Sequence, residues 1–218
     1  MPLRGVIFDL DGTLGDTLPV CYAAFREVLQ PHLRRDFTDA EIHVLFGPTE
    51  GGIFRRLMPD DWEAGLRAYL AAYARLHARL ERKIVGVESV LQELSRQHFP
   101  AAVVTGKGPE STRISLRALG LAEYFDVVEA GSPYGPVKPE AIRRILDRWR
   151  LSPDQVAYVG DSAYDVRAAR RAGVLAIAAA WAPAAPMEAL RAAQPDELFE
   201  QVSDFGEWLA GRLAAEAR

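Results

Sequence analysis

Two carboxylates stand two residues apart in Phe8-Asp9-Leu10-Asp11-Gly12-Thr13-Leu14, directly after the apolar run Gly5-Val6-Ile7-Phe8. Paired acids can divide the work of nucleophile and acid/base if one stays ionised and the other holds a proton. The competing reading is a turn, because Asp-Gly after a strand is a common turn signal. Val104-Thr105-Gly106-Lys107-Gly108 sets a hydroxyl, two glycines and a cation between a strand and a helix start. Backbone N–H groups of Gly106 and its neighbours, the helix dipole, Thr105 and Lys107 favour an anion such as phosphate there. A helix N-cap followed by an incidental lysine would have the same sequence. Pro136-Val137-Lys138-Pro139-Glu140 puts a lysine at another helix start, where it could neutralise phosphate charge or simply be a loop lysine.

Val159-Gly160-Asp161-Ser162-Ala163-Tyr164-Asp165 places two acids four residues apart after a further apolar run. Magnesium takes hard oxygen ligands, usually one or two carboxylates plus substrate phosphate. Asp161 could supply one ligand, and Asp165 could bind directly or orient a metal-bound water. A helix capped by Asp161 or Ser162, with Asp165 in its first turn, explains the same residues. Each segment alone has an ordinary structural explanation. Together they hold a nucleophile and acid, a phosphate cradle, a cation and metal-binding acids.

The elements that must position these groups are legible as alternating patterns. Gly5–Phe8, Ala101–Val104, Val127–Val128, Val156–Val159 and Leu175–Ala178 are short, nearly continuous apolar runs, as expected of strands covered on both faces. Helical spacing fills the gaps at Glu88–His98, Pro109–Leu119, Lys138–Trp149 and Ala163–Ala172. Strand–helix alternation predicts an α/β fold with a parallel, Rossmann-like sheet, and in such sheets ligands bind beyond the carboxyl ends of the strands. From Pro19 to Arg82 the alternation breaks. Only helical patterns occur there: Pro19–Leu29, Thr38–Phe46, Glu50–Leu57 and Asp61–Leu80. This predicts an all-helical domain at 16–84 inserted into a discontinuous core of 1–15 and 85–218. Ala179 to Pro186 reads as an Ala/Pro-rich loop.

Composition narrows the function class. The chain is 49% hydrophobic and 26% charged, with a net charge of -4. No clustered basic face suggests nucleic acid or an anionic membrane. No apolar run reaches the length of a membrane span, and no signal-peptide pattern precedes the first strand. Cys21 is the single cysteine, which suits a reducing, cytoplasmic setting. No apolar seam in the sequence sets an oligomeric state. Lysine is scarce: Lys83, Lys107 and Lys138 stand against an arginine-rich background, so each invites a specific reading.

The four segments, in order, resemble the motifs of the haloacid dehalogenase-like hydrolase superfamily. Asp9-Leu10-Asp11-Gly12-Thr13 is similar to its first motif, Thr105 to its second, Lys138 to its third, and Gly160-Asp161 with Asp165 to its fourth. The helical insert is similar to the cap of the phosphoglycolate phosphatase-like branch. The resemblance implies a Mg2+-dependent phosphatase acting on a small-molecule phosphomonoester. Asp9 would form an aspartyl-phosphate, and Asp11 would protonate the leaving oxygen and then activate water. Mg2+ would be held by Asp9, the Asp11 backbone carbonyl and Asp161, with Asp165 close by. Thr105 and Lys138 would hold phosphoryl oxygens, under a cap that closes to shed water.

Departures discriminate within the superfamily. Its dehalogenases lack the second acid that Asp11 supplies. Its phosphonate-cleaving members use a cap lysine, whereas Lys83 stands at the cap exit. Its sugar-phosphate mutases carry a His in the first cap helix, where Cys21 stands here. A mutase, a nucleotidase, a pyrophosphatase and an inactive binding protein on this fold are the alternatives. The loop Phe46–Gly52 could approach the site, and Arg55 or Arg56 after it could meet a second anionic group of the substrate or form a solvated helix face. Gly15 stands where relatives often carry a larger apolar residue.

Overall fold

A computed structural model describes residues 3–79 and 83–214. In chain order, strand β1 (Gly5–Phe8) is followed by four helices, α1 (Leu18–Leu33), α2 (Asp39–His43), α3 (Glu50–Leu57) and α4 (Trp62–His77). The alternating part then runs α5 (Val87–Arg96), β2 (Ala101–Val104), α6 (Pro109–Leu119), β3 (Val127–Glu129) and α7 (Lys138–Trp149). It continues with β4 (Val156–Gly160), α8 (Ala163–Ala172), β5 (Leu175–Ala179), α9 (Met187–Ala192), β6 (Glu197–Phe199) and α10 (Val202–Ala214).

The described strands form one all-parallel sheet in the order β3-β2-β1-β4-β5-β6. Side chains alternate between its faces with the strand period of two. Val6, Phe8, Val103 and Val159 pack on one side with Leu91, Leu116 and Phe205 of α5, α6 and α10. Ile7, Ala102, Val104 and Tyr158 pack on the other with Ile142, Ile145 and Val166 of α7 and α8. Both faces are covered, which is why the strand sequences are continuously apolar. Pro in the first turn and Gly120 at φ 70° bound α6, and Gly173 at φ 83° ends α8.

Helices α1 to α4 bury an apolar cluster of their own around Phe25, whose ring lies 4.5 Å from Tyr69 and 5.6 Å from Phe54. Ile114 of α6 packs against that cluster from the core. The chain segments that lead into and out of the helical unit pair briefly, through an antiparallel bridge between Gly15 and Lys83. Gly15 also bridges to Asp11, and its carbonyl accepts from the Gly12 N–H at 2.8 Å, so it belongs to the turn that carries the first acids.

The expected helices Glu50–Leu57, Pro109–Leu119, Lys138–Trp149 and Ala163–Ala172 have the observed bounds. α1 extends past the expected Leu29 and carries Pro31 in its last turn. α4 ends at His77, and its expected end at Leu80 lies outside the described residues, as do positions 81–82. Three elements go beyond the expected pattern: β6, α9 and α10. Glu197-Leu198-Phe199 is too short to show a period and finds its place at the sheet edge only through β5. In α10, Val202, Phe205, Leu209 and Leu213 do carry helical spacing. Among the described residues no helix is long and apolar enough to cross a membrane.

Candidate active site

The strand order reverses direction of travel at β1, so the crevice for a ligand lies beyond the carboxyl ends of β1 and β4. Asp9 is the first residue past β1. Its N–H donates to the Val159 carbonyl at 2.8 Å, which extends the β1–β4 pairing and fixes its direction. The chain then turns back on itself: Leu14 N–H donates to Leu10 O at 2.9 Å, with Gly12 at φ 74°. A Cβ on Gly12 would overlap the Asp161 carboxylate. The turn reading of Asp-Gly therefore holds, and it is this turn that lets Asp161 approach.

Lys138, the first residue of α7, places its Nζ 3.0 Å from Asp9 Oδ1 and 2.6 Å from Asp165 Oδ1. Asp165 is fully buried and heavily held. Tyr158 Oη lies 3.0 Å from its Oδ1, and Ser162 donates to its Oδ2 through both backbone N–H and hydroxyl. Ser162 also caps α8, because its Oγ accepts from Asp165 N–H at 3.2 Å. The helix-capping explanation of this segment holds alongside the site.

Carboxylate oxygens of Asp9, Asp161 and Asp165 come within 4.8 Å of one another. Three carboxylates against the one ammonium of Lys138 leave an excess of negative charge in a largely dry place. Burial, opposed by Lys138 and reinforced by Asp165 and Asp11, raises the Asp9 carboxyl to about 7. Burial, then the charges of Asp165 and Asp9, push Asp161 well above the carboxylate range. For Lys138, burial works against the charged form, yet Asp165 and Asp9 overcome it and raise the ammonium pKa. Hard oxygen donors with unbalanced charge fit a divalent cation.

Asp11 sits apart from this trio. Its Oδ1 accepts from the Thr17 hydroxyl and lies 3.3 Å from Lys107 Nζ and 3.8 Å from Cys21 Sγ. Lys107 is buried, with its ammonium also 2.9 Å from Cys21 Sγ and 4.6 Å from the centroid of the Tyr73 ring. Burial opposes its charge, but Asp11 and its other neighbours outweigh it and the ammonium pKa is raised. Cys21, buried beside it, is pushed up to about 12. Thr105 is buried with its Oγ1 accepting from Lys107 N–H at 3.2 Å, while the space beside Gly106 is open.

The helical unit meets the core along one seam. The buried Glu50 carboxylate accepts from Gly108 N–H at 2.7 Å and from the Ser111 hydroxyl at 2.6 Å, at the start of α6. Thr49 N–H donates to Ser132 O at 2.9 Å, and Gly52 is pressed so closely on the Pro133 carbonyl that no Cβ would fit. Tyr73 Oη and Ser115 Oγ share a hydrogen bond of 2.8 Å. The loop Phe46–Gly52 thus does come down to the strand-end side of the core. Arg55 and Arg56 do not join this cluster: both are exposed, and Arg55 stacks on Trp62 at 4.1 Å. Lys83 pairs with Glu88 at 3.3 Å. Sequence reasoning misses Thr17, Glu50, Tyr73 and Tyr158. Each lies in an ordinary helical or apolar context, and only tertiary placement brings it to a reactive group.

A parallel sheet with a switch-point carboxylate, flanking acids, a paired lysine and a helical cap is the architecture of a capped α/β hydrolase. The chain belongs to the haloacid dehalogenase-like hydrolase family, whose pattern matches residues 6–179, and it is a phosphatase of that family. The PpaX protein of Caldanaerobacter subterraneus is 31% identical over 205 residues, covering 93% of this chain and 92% of its own. The pyrophosphatase PpaX of Bacillus velezensis is 27% identical, covering 93% of this chain and 94% of its own. Among solved structures, a predicted phosphoglycolate phosphatase of Haemophilus somnus superposes with a TM-score of 0.80 at 22% identity, covering 93% of this chain and 96% of its own. CbbY of Rhodobacter sphaeroides, in complex with phosphate, superposes at 0.77 and 23% identity, covering 94% and 96%.

Proposed function

We propose that the protein is a Mg2+-dependent phosphatase that hydrolyses a small phosphate monoester through an aspartyl-phosphate on Asp9. One observation supports this above others: Lys138 bridges Asp9 and Asp165 while Asp161 stands within ligand distance of both. Asp9 attacks phosphorus in line, and Asp11 gives its proton to the leaving oxygen. Asp11, now a carboxylate, takes a proton from the water that releases phosphate from Asp9. Thr105, Gly106 and Lys138 hold the phosphoryl oxygens. Asp9, the Asp11 carbonyl, Asp161 and Asp165 would hold Mg2+, which when bound offsets the repulsion between carboxylate and phosphate. The helical cap, which we place at 16–84, chooses the substrate, and 2-phosphoglycolate is the first ester to try.

A second reading, inorganic pyrophosphate as substrate, is favoured by the PpaX relatives. Hydrolysis of p-nitrophenyl phosphate with and without Mg2+ tests the activity; no metal-dependent turnover would sink it. The ratio of kcat/KM for pyrophosphate and for 2-phosphoglycolate decides between the two substrates.

A further inference from the structure

Lys107 comes two residues after Thr105, yet its side chain is engaged elsewhere. The ammonium is buried in the seam, 3.3 Å from Asp11 Oδ1, and two cap helices close around it. Cys21 of α1 receives it at 2.9 Å, and the face of Tyr73 of α4 lies 4.6 Å away. Tyr73 is in turn fixed by Ser115 of α6 and by stacking on Tyr69 at 5.5 Å. The Thr17 hydroxyl, also at the cap entrance, donates to the same Asp11 oxygen that Lys107 faces. The hydroxyl and the ammonium, with the Cys21 thiol 3.8 Å away, converge on Oδ1 and set the rotation of the carboxylate. Oδ2 has no partner among the described residues and is the oxygen left to exchange a proton with substrate or water.

We infer that Lys107 is a positioning residue that holds Asp11 in its acid/base orientation, and that the cap controls this hold through Cys21 and Tyr73. The inference rests on the reading of Asp11 as the acid/base. In the first step the Asp11 proton moves to the leaving oxygen as that oxygen's bond to phosphorus breaks and the Asp9–phosphorus bond forms. In the second, water gives its proton to Asp11 as its oxygen bonds phosphorus and the Asp9–phosphorus bond breaks. Misplacing Asp11 therefore harms substrates in proportion to how much their leaving group needs a proton. A residue that only gripped phosphate would harm them all alike.

The test compares phenyl phosphate with p-nitrophenyl phosphate, which differ little in shape but greatly in leaving-group basicity. Phenol has a pKa of about 10, like the tyrosine side chain, and nitrophenol is far more acidic. In Lys107→Met the kcat/KM for phenyl phosphate should fall roughly tenfold or more beyond the fall for p-nitrophenyl phosphate. The Ki of inorganic phosphate should stay within a factor of about three, as expected when no group touching the phosphate has been removed. Lys107→Arg should recover part of the phenyl phosphate activity. Cys21→Ala leaves Lys107 in place and should shift the same ratio in the same direction, by a smaller factor; it also serves if the Met variant fails to fold. Equal losses on both esters, or a phosphate Ki that rises with the loss, would overturn the inference. Wild-type protein that hydrolyses neither ester is a different failure, that of the phosphatase reading itself.

Discussion

The two sides of the active site are built on opposite principles. On the core side, Asp9 and Asp161 sit just beyond the ends of β1 and β4, whose register fixes their relation, and Lys138 and Asp165 sit in the first turns of α7 and α8. Their charges are crowded and unbalanced. On the cap side, Glu50, Tyr73 and Cys21 each reach one or two polar partners on the core across a seam, and these contacts are locally satisfied. The difference separates two tasks. Crowded acids on a stiff sheet suit the cation and phosphate of the proposed mechanism, whereas a few separable polar contacts let the cap be seated or lifted without disturbing them.

The sharpest way to test the core side is Asp9→Asn. Turnover of p-nitrophenyl phosphate should fall on the order of 10^4-fold or more, with the fold intact by circular dichroism. Full activity in this variant would refute the assignment of the nucleophile. Lys138→Met should be nearly as damaging and for two reasons. In the proposed mechanism it removes a charge that faces the transferring phosphoryl group, worth roughly 10^2–10^3 in kcat. It also leaves Asp9 and Asp165 without their buried partner, which should cost about 3–5 kcal/mol in urea unfolding without metal.

The cap side should respond more gently. Glu50→Ala leaves Gly108 N–H and the Ser111 hydroxyl unsatisfied in a buried place, with an expected loss of about 1–3 kcal/mol by urea unfolding. A loss exceeding that of Lys138→Met would break the contrast between the two sides.

The smallest effect is a pH dependence. Asp9 is raised from its unfolded carboxylate value to about 7 in the fold, so the folded state binds the extra proton between those limits. Stability from this group is complete below the unfolded pKa and is lost as pH rises through about 7. The melting temperature of metal-free protein should therefore decline from pH 5 to pH 8. The gain on adding Mg2+ should be larger at pH 8, because the cation and the proton compete for the same oxygens. A gain that is equal at both pH values would mean that the cation binds elsewhere.

Legibility in the sequence divides along the same line. Strands buried on both faces announce themselves as apolar runs, and the residues just past β1 and β4 are delivered to the site, so Asp9, Asp161 and Asp165 can be picked out together with Lys138 at its helix start. Helices that begin and end with Pro, Ser or Gly have their bounds written locally, as in α6 and α8. The seam is not legible. Glu50 meets Gly108 across 58 positions and Lys107 meets Cys21 across 86, and nothing in the local pattern of either residue signals its partner. The loop glycines beside Lys107 suggest a phosphate partner, whereas its side-chain partners are Asp11 and the cap. Arg55 reads as available for substrate in the sequence because its attraction to Trp62 is a matter of helix packing.

The central position of β1 has a consequence for how the molecule comes to exist. The cap cluster, from Val20 to Tyr73, is contiguous in the chain and can bury its apolar residues before any later segment is present. β1 lies ahead of the cap in sequence but is flanked by β2 and β4, so it must wait for Ala101–Val104 and Val156–Gly160 before it has neighbours. Until then Asp9 has neither Lys138 nor its fellow acids beside it. Such long-range closure is the slow part of folding. The protein therefore gains its cap cluster before its acid cluster, and a newly forming chain carries no assembled group of carboxylates that could capture a stray cation.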